Sequence, residues 1–169
     1  GNVVIAGIGH TAFGKHPGRS TVSLNIEACR KALEDAGVEK DAVDALFVKV
    51  PTSNPQFMYG QTLAEAMGMQ PRIGGCWDQG GASNASMIGF AAMSIEHGQC
   101  DIALVTFADN PKTGSRQAYE HGWGDESAYG WFGTPAGYAM IAQRHIAQYG
   151  TTHAQLGEIA VACRAHGAN

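Results

Sequence analysis

One stretch of the chain limits its possible folds more than any other: a glycine turn followed by a helix with almost no polar side. Gly80 and Gly81 form the turn, and the predicted helix Ala82–Ile95 is built from small and apolar residues until Glu96. A helix that is apolar all round has to be covered on every side, because each exposed face leaves apolar area in water at about 25 cal/mol per Å². We therefore expect an interior helix whose amino end, at the glycine turn, marks the reaction centre.

Strand and helix patterns alternate along the rest of the chain. Continuous apolar runs predict strands at Val3–Ile8, Asp44–Val50, Ile73–Asp78 and Ile102–Phe107. Periodic apolar positions predict helices at Val22–Ala36, Gln61–Gly68, Pro135–Tyr149 and His153–His166. Ser20 or Thr21 is the expected cap of the first helix, and Gly37 is expected to end it. This alternation predicts an α/β fold with parallel strand pairing, in which 1–110 form the core, 111–133 a long loop or arm, and 134–169 a helical end.

Composition excludes several classes of function. With 169 residues, 44% of them hydrophobic, the chain is long enough for one domain with its own core. A net charge of −4 offers no basic surface for nucleic acid or for an anionic membrane, so we expect neither as a partner. The four cysteines lie far apart without paired spacing, which predicts reduced thiols and a cytoplasmic protein. No apolar run is long enough to predict a transmembrane segment.

The segment Gly7-Ile-Gly-His-Thr-Ala12 matches G-x-G-x-x-A, the dinucleotide-binding fingerprint. That fingerprint requires a helix to begin at once, so that its amino-terminal amides meet the pyrophosphate. Here Lys15-His-Pro-Gly18 interrupts, and no acidic residue ends the next predicted strand. We expect these glycines to allow a tight bend rather than to bind a nucleotide.

Ser83 lies in Gly81-Ala-Ser-Asn-Ala85, which is close to the G-x-S-x-G pattern of a nucleophile elbow. A serine hydrolase would use Ser83 as its nucleophile, with Asp109 and His121 completing the triad in the correct chain order. The alternative is that Ser83 only caps the helix.

Two further groups of residues have a functional and a structural interpretation. His97 and Cys100, and again Cys163 and His166, are three residues apart, but a structural zinc site needs four converging ligands, so we expect no metal. The aromatic residues of the long loop either line a substrate tunnel or pack at an interface; they are Trp123, Tyr129, Trp131 and Phe132.

Several motifs together resemble the thiolase superfamily, in particular the branch that includes the thiolase portion of sterol-carrier protein X and bacterial lipid-transfer-type thiolases. The matching segments span nearly the whole chain: Val3–Gly14, Ala28–Gly37, Gly80-Gly-Ala-Ser83, Ala91–Gly98, Asp101–Val105, Ala136-Gly-Tyr-Ala139 and Tyr149-Gly-Thr151. The resemblance implies a layered αβαβα fold in which two similar halves, each with a mixed, mainly parallel sheet, enclose two buried helices. Ala82–Ile95 would be one of those helices, and the chain would be the N-terminal half.

The resemblance also places a departure at the proposed reaction centre. Superfamily members that make or cleave β-ketoacyl-CoA carry a nucleophilic cysteine where this chain has Gly81. Cys76 is not a substitute, because it lies five positions before Gly81, which is roughly 16 Å along an extended strand. The Gly-Gly-Ala-Ser pattern resembles that of steroid side-chain retro-aldolases, which act on acyl-CoA without this cysteine.

The resemblance therefore implies an enzyme of acyl-CoA metabolism that performs either acyl transfer or carbon–carbon cleavage. Its implied catalytic positions are Gly81, Ser83 and Asn84, and its implied substrate-binding residues are Tyr129, Trp131 and Phe132. The substrate would be a coenzyme A thioester, with no permanently bound cofactor.

The chain alone is expected to be inactive. A homodimer joined through Ile102–Phe107 and a small partner subunit are the expected assemblies. The non-enzymatic alternative is a module that holds an acyl chain or docks a partner.

We predict that the isolated chain self-associates. A helix built to be covered on both sides exposes an apolar patch when the matching half is missing, and such a patch drives association. Sedimentation velocity over a range of protein concentrations should show dimers or larger species. A single monomeric boundary at the highest concentration would contradict the prediction.

Overall fold

The computed structural model describes residues 3–115, 124–131 and 133–168. The chain divides into two units, residues 1–117 and residues 118–169. The first unit contains helices α1 (Thr21–Ala36), α2 (Tyr59–Met67) and α3 (Ser83–Glu96), and strands β1 (Ala45–Lys49), β2 (Ile73–Trp77) and β3 (Ala103–Thr106). The second contains a short 3₁₀ helix (Asp125–Tyr129) and helices α4 (Gly133–Tyr149) and α5 (His153–His166).

The three strands form a parallel sheet in the order β2-β1-β3, as the alternation of elements predicts. All five residues of β1 are buried. Leu46 and Val48 pack on one face with α1 and α2, whereas Ala45 and Phe47 pack on the other face with α3. The first unit is therefore three layers deep, with the sheet in the middle.

Local signals set the limits of α1 as expected. Ser20 is the N-cap, and its side chain accepts a hydrogen bond from the Ser23 N–H. Gly37 ends the helix with φ 63°, a left-handed conformation that glycine adopts without strain. The predicted strand limits were one or two residues too wide, and α2 begins at Tyr59 rather than at Gln61.

The prediction of a buried strand at Val3–Ile8 was wrong. This segment has no strand structure, and the side chains of Val4, Ile5 and Ile8 are 72–75% exposed. Its backbone lies against α1 instead, where the Ile8 N–H donates to Asp35 Oδ2 at 2.9 Å. A Cβ at Gly7 would clash with Ala36 N, so this glycine permits close backbone packing rather than a tight bend. Nor does a helix follow Gly9, as a dinucleotide site requires.

The prediction that the central helix is covered on every side was also wrong for this chain. Ser83, Met87, Ala91 and Ser94 are buried, at a spacing that defines one face of α3 against the sheet. On the opposite flank Ile88 is 45% exposed and Met93 52% exposed. The physical reason is that a three-stranded sheet covers one face of a helix and leaves the other open.

A buried polar network joins α1, α2 and β3. Asn25 Nδ2 donates to Tyr59 Oη at 2.9 Å and to the Thr21 carbonyl at 3.1 Å, while Asn25 Oδ1 accepts from Thr106 Oγ1 at 2.8 Å. Asn25 and Tyr59 are both 0% exposed, and burial raises the pKa of the Tyr59 phenol. Buried polar groups of this kind are costly when a partner is lost.

We expect Asn25→Ala to lower the free energy of unfolding by about 2–4 kcal/mol, because two buried hydroxyl groups lose their partner. Arg30→Ala on the same helix is the control. Its ion pair with Glu34 has side chains 64% and 60% exposed, so removing it should change stability by no more than about 0.5 kcal/mol. Urea unfolding midpoints measure both. Equal midpoints for the two variants would show that the network contributes nothing.

Candidate functional site

The parallel sheet brings the ends of its three strands together at one edge. Lys49 ends β1 and pairs in register with Trp77, the last residue of β2, while Thr106 ends β3 beside Val48. In open parallel sheets, this carboxyl edge is where ligands bind. The glycine turn leads from the same edge into α3, so the candidate site lies at residues 78–84.

Hydrogen bonds hold the glycine turn in place. Ser83 Oγ accepts from the Gln79 N–H and donates to the Gly80 carbonyl, both at 2.8 Å. Asp78 Oδ1 accepts from the Gly80 N–H at 3.2 Å. Gly80 has φ 55°, which explains the need for glycine there.

Ser83 is a structural residue of the turn. It is 1% exposed and its single hydroxyl proton is donated to the Gly80 carbonyl. A nucleophilic serine needs an accessible oxygen and a base that accepts its proton. The described partners of Ser83 are backbone groups, and its proposed triad partner His121 lies outside the described residues. This geometry disfavours the serine hydrolase.

Gly81 has room for a side chain that it does not carry. It is exposed, and a Cβ built on it would meet nothing within 4 Å. Asn84 is also exposed, and no side chain caps the amino end of α3. The helix therefore presents its positive end to an open space beside Gly81, where it would stabilise negative charge.

The predicted substrate-binding residues lie in the second unit or outside the described residues. Tyr129 is 90% exposed and Trp131 is 39% exposed, and the Trp131 indole N–H donates to the Gly133 carbonyl at 2.9 Å within the second unit. Phe132 and Trp123 lie outside the described residues.

The two Cys–His pairs do not form a metal site within the part of the chain that the structure describes, where no group of three or more metal-binding side chains converges. His97 Nδ1 lies 2.8 Å from the Met93 carbonyl at the end of α3. Cys100 is buried, which raises the pKa of its thiol, whereas Cys163 is exposed on α5.

No described helix has the length and apolar character needed to cross a bilayer.

Sequence reasoning missed Lys49 and Asp78. The Lys49 side chain is only 9% exposed, and its Nζ lies 3.3 Å from Asp78 Oδ1. A charged residue within an otherwise apolar predicted strand was the available signal, since lysine is rarely buried without a partner.

Comparison with known proteins supports the resemblance. The chain is 34% identical over 182 aligned residues to a steroid side-chain-cleaving aldolase of Thermomonospora curvata, and the match covers 99% of this chain and 45% of that protein. It is 31% identical to the 17-hydroxy-3-oxo-4-pregnene-20-carboxyl-CoA lyase of Mycobacterium tuberculosis, covering 100% of this chain and 46% of the lyase. The chain thus spans less than half the length of these relatives. No family model matches the sequence.

Solved structures agree. A Ltp2-ChsH2(DUF35) aldolase superposes with a TM-score of 0.67 at 30% identity, over 88% of this chain and 38% of that one. A monomeric SCP2-thiolase-like protein of Mycobacterium smegmatis shares the fold with a TM-score of 0.52 at 24% identity, over 64% of this chain and 23% of that one. The chain belongs to the thiolase superfamily. Its relatives include an aldolase, a lyase and an acetyl-CoA acetyltransferase.

We expect the substitution Gly81→Cys to leave the free energy of unfolding of this thiolase-superfamily chain unchanged. A Cβ at position 81 meets nothing within 4 Å. The positive end of α3 should lower its thiol pKa below the ordinary value of about 8.5. The pH dependence of iodoacetamide labelling, followed by peptide mass spectrometry, measures this pKa.

Gln99→Cys is the matched control, because Gln99 is exposed and follows the carboxyl end of α3. The pH dependence of its labelling should give a thiol pKa at or above about 8.5. If the two cysteines titrate alike, the amino end of α3 does not stabilise negative charge at position 81.

Proposed function

We propose that this chain supplies the thioester-binding end of an enzyme that cleaves a carbon–carbon bond of a β-hydroxyacyl-CoA by aldol reversal. The observation that carries the proposal is Gly81, which occupies open space at the amino end of α3 and has no side chain to form a thioester. The neighbouring Ser83 hydroxyl is bonded to the backbone and is not a substitute. Acyl transfer through a covalent intermediate, the competing chemistry, needs the nucleophile that position 81 lacks.

Aldol reversal needs a base and a stabilised enolate, but no covalent intermediate. The base removes the proton of the β-hydroxyl group, the Cα–Cβ bond breaks to give a ketone, and the bonding electron pair forms the thioester enolate. The enolate then takes a proton at Cα, so that atoms and charge balance. The uncapped amino end of α3 supports this step, because its amides and dipole favour negative charge on the thioester oxygen.

The names of the relatives indicate the class of acyl group. Two of them are a steroid side-chain-cleaving aldolase and a lyase of a steroid carboxyl-CoA, so we infer a branched or steroid side chain as the substrate class. The solved Ltp2-ChsH2 aldolase pairs two proteins, which supports a small partner subunit here. We further propose that the protein forms a homodimer through residues 102–107 and is located in the cytoplasm.

The same proposal makes this chain the N-terminal half of the active enzyme. The exposed flank of α3, with Ala85, Ile88, Gly89 and Met93, would be covered by the other half, and the chain alone would be inactive. That apolar flank also favours a second candidate function, a non-enzymatic module that holds an acyl chain or docks a partner. Turnover of an acyl-CoA by the complete protein would exclude it.

We expect the complete protein to convert a β-hydroxyacyl-CoA with a tertiary β-carbon into a ketone and a shortened acyl-CoA. Mass spectrometry of both products measures the reaction. The same preparation, supplied with a β-ketoacyl-CoA and free CoA, should release no acetyl-CoA, because thiolysis requires the missing nucleophile. Acetyl-CoA release without aldol cleavage would overturn the proposal.

A further inference from the structure

Two lysines of the first unit differ from its other lysine and arginine side chains. Within the described residues 3–115, the others all form ion pairs with carboxylates; they are Arg19, Arg30, Lys31, Lys40, Lys49 and Arg72. Lys15 and Lys112 are exposed, and neither has a carboxylate partner in that part of the chain. An anionic ligand can therefore approach these two ammonium groups without displacing a partner.

Hydrogen bonds bring the two lysines onto neighbouring loops. Lys15 lies in the loop that precedes α1, and Lys112 lies in the loop that follows β3. Thr113 Oγ1 accepts from the His16 N–H at 3.2 Å, and Asn110 Nδ2 donates to the His16 carbonyl at 3.1 Å. Each lysine is therefore next in sequence to a residue that bonds the two loops together.

Asn110 fixes the two loops to each other from a buried position. It is 5% exposed, its Nδ2 also donates to the Arg19 carbonyl at 3.1 Å, and its Oδ1 accepts from the Thr113 hydroxyl group. The Gly114 N–H donates to the Asn110 carbonyl at 2.7 Å and closes a turn around Lys112. These bonds hold the loops without using either lysine side chain, so both ammonium groups are left for a ligand.

The two loops lie at the carboxyl edge of the sheet. The loop that carries Lys112 follows the carboxyl end of β3, and the Asn110 side chain ties it to the loop that enters α1. The positive end of α1 therefore lies at the same edge and favours an anion there. Asp109 is the carboxylate of this loop, and the Thr52 and Ser53 N–H groups that donate to it stabilise its negative charge.

We propose that Lys15 and Lys112 bind phosphate groups of the coenzyme A part of the substrate. This inference rests on the proposed action on an acyl-CoA. Coenzyme A carries a diphosphate and a 3′-phosphate at the end remote from the thioester, and a lysine ammonium group binds phosphate as a point charge. The two lysines contribute to substrate binding and take no part in breaking the carbon–carbon bond.

The first test uses the complete protein and two substrates with the same acyl group, a CoA thioester and a pantetheine thioester, which has no phosphate. Lys15→Gln and Lys112→Gln should each raise KM for the CoA thioester about fivefold, because each removes one charge contact with phosphate. The kcat should not change, since an interaction made equally in the ground and transition states affects KM alone. KM for the pantetheine thioester should stay at the wild-type value.

Lys40→Gln is the matched control. Lys40 pairs with Asp41 at 2.9 Å and lies before the amino end of β1, away from the carboxyl edge, so its loss should leave KM for both substrates unchanged. A rise in KM that is equal for the two thioesters in Lys15→Gln and Lys112→Gln would assign these lysines a structural role and overturn the proposal. Unchanged KM for the CoA thioester would overturn it as well.

The second test measures binding without turnover. Isothermal titration calorimetry with adenosine 3′,5′-bisphosphate should show binding to the complete wild-type protein, and the double variant Lys15→Gln/Lys112→Gln should bind it roughly twentyfold more weakly. Raising the NaCl concentration should weaken binding to the wild type more than binding to the double variant, because salt screens exposed charges. Equal affinities of the two proteins would exclude the lysines from the phosphate site.

The outcomes separate this inference from the function on which it rests. If the wild type acts on no acyl-CoA but binds adenosine 3′,5′-bisphosphate through the two lysines, the proposed function is wrong and the phosphate site stands. If the wild type cleaves the acyl-CoA and both lysine variants keep its KM, the function stands and the phosphate site is wrong.

Discussion

The parallel pairing of β1 on both of its edges is the interaction on which the first unit depends. Because β1 is buried on both faces and hydrogen-bonded to β2 and β3, it fixes the three strand ends at one edge of the sheet. Both hydrophobic clusters of the unit draw residues from β1. The glycine turn, the amino end of α3 and the Lys49 side chain all take their positions from this strand.

The glycine turn is stabilised by residues other than the one at which the superfamily resemblance places a nucleophile. Ser83 bonds the turn to the start of α3, and Gly80 supplies the left-handed conformation. Neither task involves position 81, where the thiolase resemblance places a nucleophile. The turn is therefore held by residues other than Gly81, and under the proposed function position 81 could change without loss of the turn. The chain is similar both to an acetyltransferase and to an aldolase.

Two wrong predictions have a common cause. The apolar run Val3–Ile8 and the apolar helix α3 were both expected to be buried on every side, and both carry exposed apolar side chains. A hydrophobic pattern indicates how much of a segment's apolar surface must be buried. It does not indicate which other element buries that surface. In this chain the three-stranded sheet covers one face of α3, and the segment 3–8 lies along α1 instead of entering the sheet.

The sequence by itself determined the local features: the caps Ser20 and Gly37, the alternation of strands and helices, the glycine turn, and the superfamily. These follow from propensity, spacing and residue identity, which act over a few neighbouring residues. Only the tertiary structure decided that α3 is covered on one face, that Ser83 is bonded to the backbone, and that Lys49 lies against Asp78. Lys49 and Asp78 are far apart in sequence and meet because β1 and β2 pair in one register. Register is set by packing across the whole sheet, so no local pattern could have given that contact.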